Sequence, residues 1–332
     1  MLAFLFPGQG SQQVGMGREL ARRYPVARDL FQQADDALGY AISRLCFEGP
    51  EEELRLTQNA QPGILTCSLA VLEVLRQETA LAPEVVAGHS LGEFSALVCA
   101  GALEFADAVR LVHLRGKLMQ QAVPAGEGAM AALLGASAEQ VTALCQASRE
   151  AGHDEPVREA AEPRSGAERS AQDETVLSPA NFNGAGQIVI AGHAAAVDRA
   201  IGLARQFGAR RAVRLPVSAP FHCSLMQPAA DGLARAMAEI AFADPRVPVV
   251  TNVEAEPLES RARIRELLFR QVTAPVRWEE SVLRLAQMGV DRALELGPGK
   301  VLAGLVRRIA PAVRIDSLST PEEILQTKEA AQ

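Results

Sequence analysis

An α/β fold built on a mainly parallel sheet is predicted by three observations on this chain of 332 residues. Short apolar runs at 2–6, 85–87, 248–251, 293–296 and 313–318 read as strands buried on both faces, with helical patterns between them. Between the second and third of these runs the pattern is strand 129–134, helix 138–147, strand 175–181, strand 187–191, helix 194–207, strand 210–215. That βαββαβ succession is the ferredoxin-like arrangement, here a small domain inserted in the larger one. The third observation is Gly88-His89-Ser90-Leu91-Gly92, set between the 85–87 run and an apolar helical stretch from Phe94. Strand, sharp turn and helix in that order make a nucleophile elbow, so the large domain is expected to be hydrolase-like. The expected domains are 1–127 with 216–320 for the large one and 128–215 for the inserted one. Residues 321–332 form a polar tail that frays or ends in a short helix.

The first strand runs into Pro7-Gly8-Gln9-Gly10-Ser11-Gln12, whose glycines let the backbone come close to a bound group. This is not a dinucleotide fingerprint, because Gln13 stands where G-x-G-x-x-G needs its third glycine. In the elbow, Gly88 and Gly92 let strand and helix pack closely around a strained Ser90. An attacked acyl group also needs two donors at its developing oxyanion, worth about 3–4 kcal/mol each. The Leu91 N–H, at the start of the elbow helix, and the glycine-rich loop 7–12 are the candidate sources.

The helical run 105–121 carries Arg115 among Val109, Val112, Leu114 and Leu118. An arginine on a helix is ordinarily solvated. Turned inward, its planar fork suits a carboxylate held by two parallel hydrogen bonds and would select a dicarboxylic acyl group. Residues 148–174 are dense in Glu, Arg, Ala, Ser, Gly and Pro, with little to bury, and predict a mobile surface loop in the small domain. Of the five histidines, His89 lies within the elbow, and His222 follows the Pro-punctuated turn 217–221 before an amphipathic helix. A loop at that inter-domain junction can present a base to a cleft. No Asp or Glu following a strand lies between Ser90 and His222, so a Ser/His dyad is the simpler expectation, with a backbone carbonyl holding the imidazole tautomer. Gly297-Pro298-Gly299-Lys300 reads as a strand-to-helix turn and not a phosphate loop, because Val301 stands where Ser or Thr is required.

A composition of 48% hydrophobic and 22% charged residues is that of a folded globular protein. The net charge of -7 argues against a nucleic-acid footprint. No apolar stretch approaches the roughly 18 residues of a membrane span. The N-terminal apolar segment is too short for a signal peptide and lacks its basic flank. Five scattered cysteines (Cys46, Cys67, Cys99, Cys145, Cys223), never spaced C-x-x-C, indicate neither a disulfide framework nor a zinc site. A cytoplasmic protein with no nucleic-acid or membrane partner is expected.

These pieces together resemble the malonyl-CoA:acyl carrier protein transacylases, the enzymes that load malonate for fatty acid and polyketide synthesis. The resemblance runs over nearly the whole chain. It is carried by Phe6-Pro7-Gly8-Gln9-Gly10-Ser11-Gln12, Gln61-Pro62, Gly88-His89-Ser90-Leu91-Gly92-Glu93, Arg115-Gly116-Lys117, Asn181-Phe182-Asn183, Phe221-His222-Cys223 and Glu295-Leu296-Gly297-Pro298-Gly299. It implies that Ser90 attacks the malonyl thioester with His222 as base, that coenzyme A leaves, and that the phosphopantetheine thiol of an acyl carrier protein then takes the malonyl group. It further implies that Arg115 grips the free carboxylate, that the backbone of Gln9 and Leu91 forms the oxyanion hole, and that a backbone carbonyl near Gln271 orients His222. His89 is expected at the substrate site with them. Leu91 and Phe221 look like malonyl-selecting versions, and Phe221 leaves little room for an α-methyl. No cofactor is expected to be bound permanently: malonyl-CoA is substrate, and phosphopantetheine arrives on the partner. Two other readings remain, an acyl hydrolase that clears acyl groups from carrier proteins and a noncatalytic carrier-binding scaffold.

Overall fold

A computed structural model describes residues 1–151, 175–217 and 219–329. Strands β1 (Leu2–Phe6) and β2 (Val85–Gly88) are the first two of the large sheet. β3 (Gly128–Leu134), β4 (Leu177–Gly184), β5 (Gln187–His193) and β6 (Arg211–Arg214) make a second sheet. The chain then returns to the first with β7 (Val249–Val250), β8 (Pro257–Leu258), β9 (Arg292–Leu296) and β10 (Arg314–Leu318). The large sheet has the order β10-β9-β1-β2-β7-β8 and is parallel except for β8, which pairs antiparallel to β7.

Alternation along β1 and β2 explains why both faces are covered. Phe4, Phe6 and Val86 enter one core with Ile64, Phe94 and Val112. Ala3, Leu5, Val85 and Ala87 enter another with Trp278, Leu302 and Leu305. A central strand with no polar position can be accommodated only between two helical layers. The Gly297–Lys300 stretch is the strand-to-helix turn expected, and Glu295 fixes it. Its carboxylate accepts from the Leu302 and Ala303 N–H groups, each at 2.9 Å, so it caps the helix Val301–Ile309 from the preceding strand.

The second sheet has the order β4-β5-β3-β6, antiparallel throughout, which is the ferredoxin-like order 2-3-1-4 within that segment. Several boundaries differ from the sequence reading for local reasons. β4 runs on to Gly184 because the β4–β5 turn is only Ala185-Gly186, both with positive φ. The expected helix 194–207 ends at Leu203, and the turn that follows closes at Gly208 with φ 87°. The start of the expected 148–174 loop is helical instead. A capping box at Ser137 and Gln140 begins the helix Ala138–Glu150, and Val141, Leu144, Cys145 and Ser148 bury one face at helical spacing. Residues 152–174 lie outside the described residues. The tail contributes a helix, Pro321–Glu329.

All five cysteines are unpaired and buried. Among the described residues no helix is long and apolar enough to cross a membrane.

Candidate active site

Three parallel strands deliver the site at their carboxyl ends, where open α/β sheets bind ligands. β1 ends in the Gln9 loop, β2 in the Ser90 elbow, and β7 in Asn252. Glycine is required twice in the elbow. A Cβ on Gly88 would stand 2.0 Å from the Gly92 carbonyl, and one on Gly92 would stand 2.0 Å from the Phe6 carbonyl oxygen. Because every obstructing atom is backbone, Gly92→Ala should cost about 3 kcal/mol, read as a lowered denaturant midpoint. An unchanged midpoint would show that strand and helix can separate there.

Ser90 has φ 52° and His222 φ 61°, both in the left-handed region that non-glycine residues avoid. Ser90 is clamped from distant parts of the chain. Its N–H donates to Asn252 Oδ1 at 2.6 Å, and its carbonyl accepts from Gln271 Nε2 at 2.9 Å. Asn252, fully buried, also donates from Nδ2 to the Gly88 carbonyl at 2.6 Å, so one amide braces both sides of the elbow.

His222 lies across the elbow. Its Nε2 is 2.7 Å from Ser90 Oγ, and its Nδ1 is 2.8 Å from the Gln271 carbonyl. A carbonyl only accepts, so Nδ1 carries the proton and Nε2 is left to receive the Ser90 hydroxyl proton. The imidazole is held neutral: burial first, then the Arg115 charge, pulls its pKa down to about 3. This is the arrangement that general-base activation of a hydroxyl requires.

Arg115 does turn inward. Only 2% exposed, it donates from Nη1 to Gln61 Oε1 at 2.9 Å. Its Nη2 donates to Ser90 Oγ at 3.1 Å and Gln271 Oε1 at 2.9 Å. Phe94 lies under the guanidinium, 5.7 Å from ring centroid to Cζ. Its Nε is buried with no hydrogen-bond partner among the described residues. A buried donor left open beside a nucleophile marks a place for an acceptor brought by a ligand.

The Gln9 and Leu91 backbone N–H groups donate to no protein acceptor among the described residues, as oxyanion donors must not in the empty site. Gly8, against the His89 carbonyl, brings that loop onto the elbow. The Gln9 side chain is tied back, Nε2 to Thr57 Oγ1 at 3.2 Å.

His89 and Phe221 are held by contacts on either side of the dyad. His89 Nε2 donates to Asn183 Oδ1 at 2.9 Å, and its ring packs on Trp278 with centroids 5.5 Å apart. It ties the elbow to β4, and burial pushes its pKa down. Phe221 is buried in the main core cluster, with its N–H on the Ala219 carbonyl at 3.2 Å.

Sequence reasoning missed four contributors. Gln61 and Asn252 are buried amides whose partners are remote in sequence, and the Gln271 side chain adds to its carbonyl. The fourth is an acid: Glu93, buried in the elbow helix, accepts from Gln271 Nε2 at 2.7 Å and from the Asn252 N–H at 3.2 Å. Its signal was a charge in the otherwise uncharged helix Gly92–Cys99.

Known proteins resemble this chain over nearly its whole length. Residues 3–150 match the family described as acyl transferase domain. The malonyl CoA-acyl carrier protein transacylase of Escherichia coli is 47% identical over 327 residues, 98% of each chain. The chain belongs to the malonyl CoA-acyl carrier protein transacylase family. The Bacillus subtilis member is 46% identical over 97% of this chain and 95% of its own. Among solved structures, the Coxiella burnetii malonyl CoA-acyl carrier protein transacylase superposes with a TM-score of 0.89 at 42% identity, covering 99% of this chain and 96% of that one. A malonyl-transacylase in complex with its type II PKS acyl-carrier protein gives 0.90 at 42% identity, covering 99% of each chain. The family is one of acyltransferases.

Proposed function

We propose that this protein moves a malonyl group from coenzyme A to the phosphopantetheine thiol of an acyl carrier protein, through a malonyl ester on Ser90. The reading is carried by one observation: Ser90 Oγ lies within hydrogen-bond distance of both a neutral imidazole and a buried guanidinium. His222 takes the hydroxyl proton as Ser90 attacks the thioester carbonyl. The Gln9 and Leu91 N–H groups receive the oxyanion. Coenzyme A then leaves as the thiol, with the proton returned from His222. The carrier thiol repeats the sequence on the malonyl-Ser90 ester. Gln271 supplies the carbonyl that fixes the imidazole, and Arg115 pairs with the free malonyl carboxylate through its open Nε–H and a neighbouring amino group.

The substrate carboxylate gives Arg115 a purpose that a hydrolase for neutral acyl chains would lack. Leu91 and Phe221 are assigned the restriction against an α-methyl, a discrimination of about 1–3 kcal/mol. The proposed site lies between the large domain, 1–127 with 216–320, and the inserted one, 128–215. No permanently bound cofactor is needed. A cytoplasmic location is proposed from the five unpaired cysteines, the state a reducing compartment maintains.

Mass spectrometry of the protein mixed with malonyl-CoA should find a covalent malonyl adduct, discharged on adding a phosphopantetheine-bearing carrier protein. Adduct loss to water at the same rate without carrier would favour the hydrolase, and no adduct the scaffold. Carriers from fatty acid and from polyketide synthesis, tested side by side, assign the pathway.

A further inference from the structure

The carboxyl of Glu93 has no part in the roles above, yet it occupies the centre of the site's hydrogen-bond network. Its Oε2 receives both the Gln271 and Asn252 donors, and no donor among the described residues reaches its Oε1. On the other side of the same amide, Gln271 Oε1 accepts from Arg115 Nη2. A single side chain therefore joins a buried acid to a buried cation, with N–H toward the carboxylate and C=O toward the guanidinium. Among the described residues, every acceptor hydrogen-bonded to Arg115 is neutral: Gln61, Gln271 and Ser90. Glu93 is thus the acid joined to this cation through a single amide.

The consequence rests on the malonyl reading. A substrate carboxylate on Arg115 places two negative charges beside one positive in a site largely closed to water, and like charges so placed do not both stay ionised. We propose that Glu93 is the exchangeable counter-charge of Arg115, ionised when the site is empty and protonated when a malonyl carboxylate pairs with the guanidinium. One proton comes from solvent and forms an O–H bond at Glu93 Oε1. No substrate bond changes in that step, and the proton returns to solvent when the malonyl group departs. Glu93 is a positioning residue that acts through Gln271.

Burial already pushes the Glu93 carboxyl up to about 7, against the lowering effect of its two hydrogen bonds and of Arg115. The other titratable groups around the network do not change state there. Arg115 stays a cation, lowered by burial to about 10, while His222 and His89 are both pushed down by burial and are neutral. Binding that requires a protonated Glu93 weakens as pH rises above its empty-site pKa.

Single-turnover loading from malonyl-CoA and from acetyl-CoA, followed from about pH 5.5 to about pH 9, tests this. The malonyl second-order constant should be level below about pH 7 and fall toward tenfold per unit above it, while the acetyl constant stays level. Glu93→Gln keeps an acceptor for Gln271 and Asn252 but cannot ionise, so its malonyl constant, whatever its plateau value, should stay level across the whole pH range. A flat wild-type malonyl profile, a decline shared with acetyl-CoA, or a decline that persists in Glu93→Gln would overturn the proposal. Should Glu93→Gln not fold, an indicator dye in weak buffer serves with the wild type alone. Loading should consume up to about one proton per malonyl at about pH 8 and almost none at about pH 6, and zero uptake at the higher pH overturns the proposal. These outcomes all presuppose an adduct; its absence at every pH would instead remove the malonyl reading, and this proposal with it.

Discussion

Ser90→Ala should yield no malonyl adduct and slow transfer to the carrier by about 10,000-fold or more. The substitution removes only Oγ, because the backbone clamps on residue 90 from Asn252 and Gln271 do not involve the side chain. His222→Ala should cost nearly as much, since without the imidazole the hydroxyl has no acceptor for its proton. The Ser90→Ala/His222→Ala double variant should be no slower than either single one, because the two groups act in one proton transfer. The residual rate then measures what the oxyanion donors and Arg115 do by holding malonyl-CoA in place. Rates measured by carrier loading decide the matter: additive losses in the double variant would mean that the two residues work in separate steps, despite the 2.7 Å between them.

Arg115→Ala should lower malonyl loading by about 30-fold to about 5,000-fold, the equivalent of about 2–5 kcal/mol for removing one partner of a buried charge pair. Loading of a neutral acyl group should fall far less. Two effects combine. The malonyl carboxylate loses its partner, and Glu93 loses the cation that lowers its pKa, so its buried carboxyl is held more firmly in the neutral form. Arg115→Lys should recover little, since a point charge cannot present the two parallel donors of the fork or reach Gln61 and Gln271 together. Kinetics with malonyl-CoA and acetyl-CoA on the same preparations give the ratio directly. Equal losses for both donors would assign Arg115 to holding Ser90 and Gln271 in place, with no part in recognising a carboxylate.

How much of this was legible in the sequence depended on the range of the forces involved. β1 and the elbow were readable because most of their causes are local: an uninterrupted apolar run needs two covering layers, and Gly88 has a steric reason within five residues, although Gly92 is required by the remote Phe6 backbone. The ferredoxin-like order followed from the succession of patterns alone. Arg115 could not be distinguished by periodicity from a solvated helix arginine, and only the family resemblance turned it inward. Glu93, Asn252 and the Gln271 side chain stayed hidden because their partners are 156 to 181 residues away. A buried amide is written in sequence just as an exposed one is. The Ala138–Glu150 helix overran its expected end because Ser148, small and fully buried, completes an apolar face that composition alone reads as polar.

The five buried cysteines bear on chemistry as well as on packing. A catalyst that handles coenzyme A and a pantetheine arm works continuously among free thiols and thioesters. Burial pushes Cys67, Cys99, Cys145 and Cys223 up to about 12 and Cys46 well above its ordinary value, so none offers the thiolate needed for exchange. Burial thereby keeps these five sulfur atoms in the thiol form, the form that neither takes the cargo from Ser90 nor exchanges with donor or acceptor.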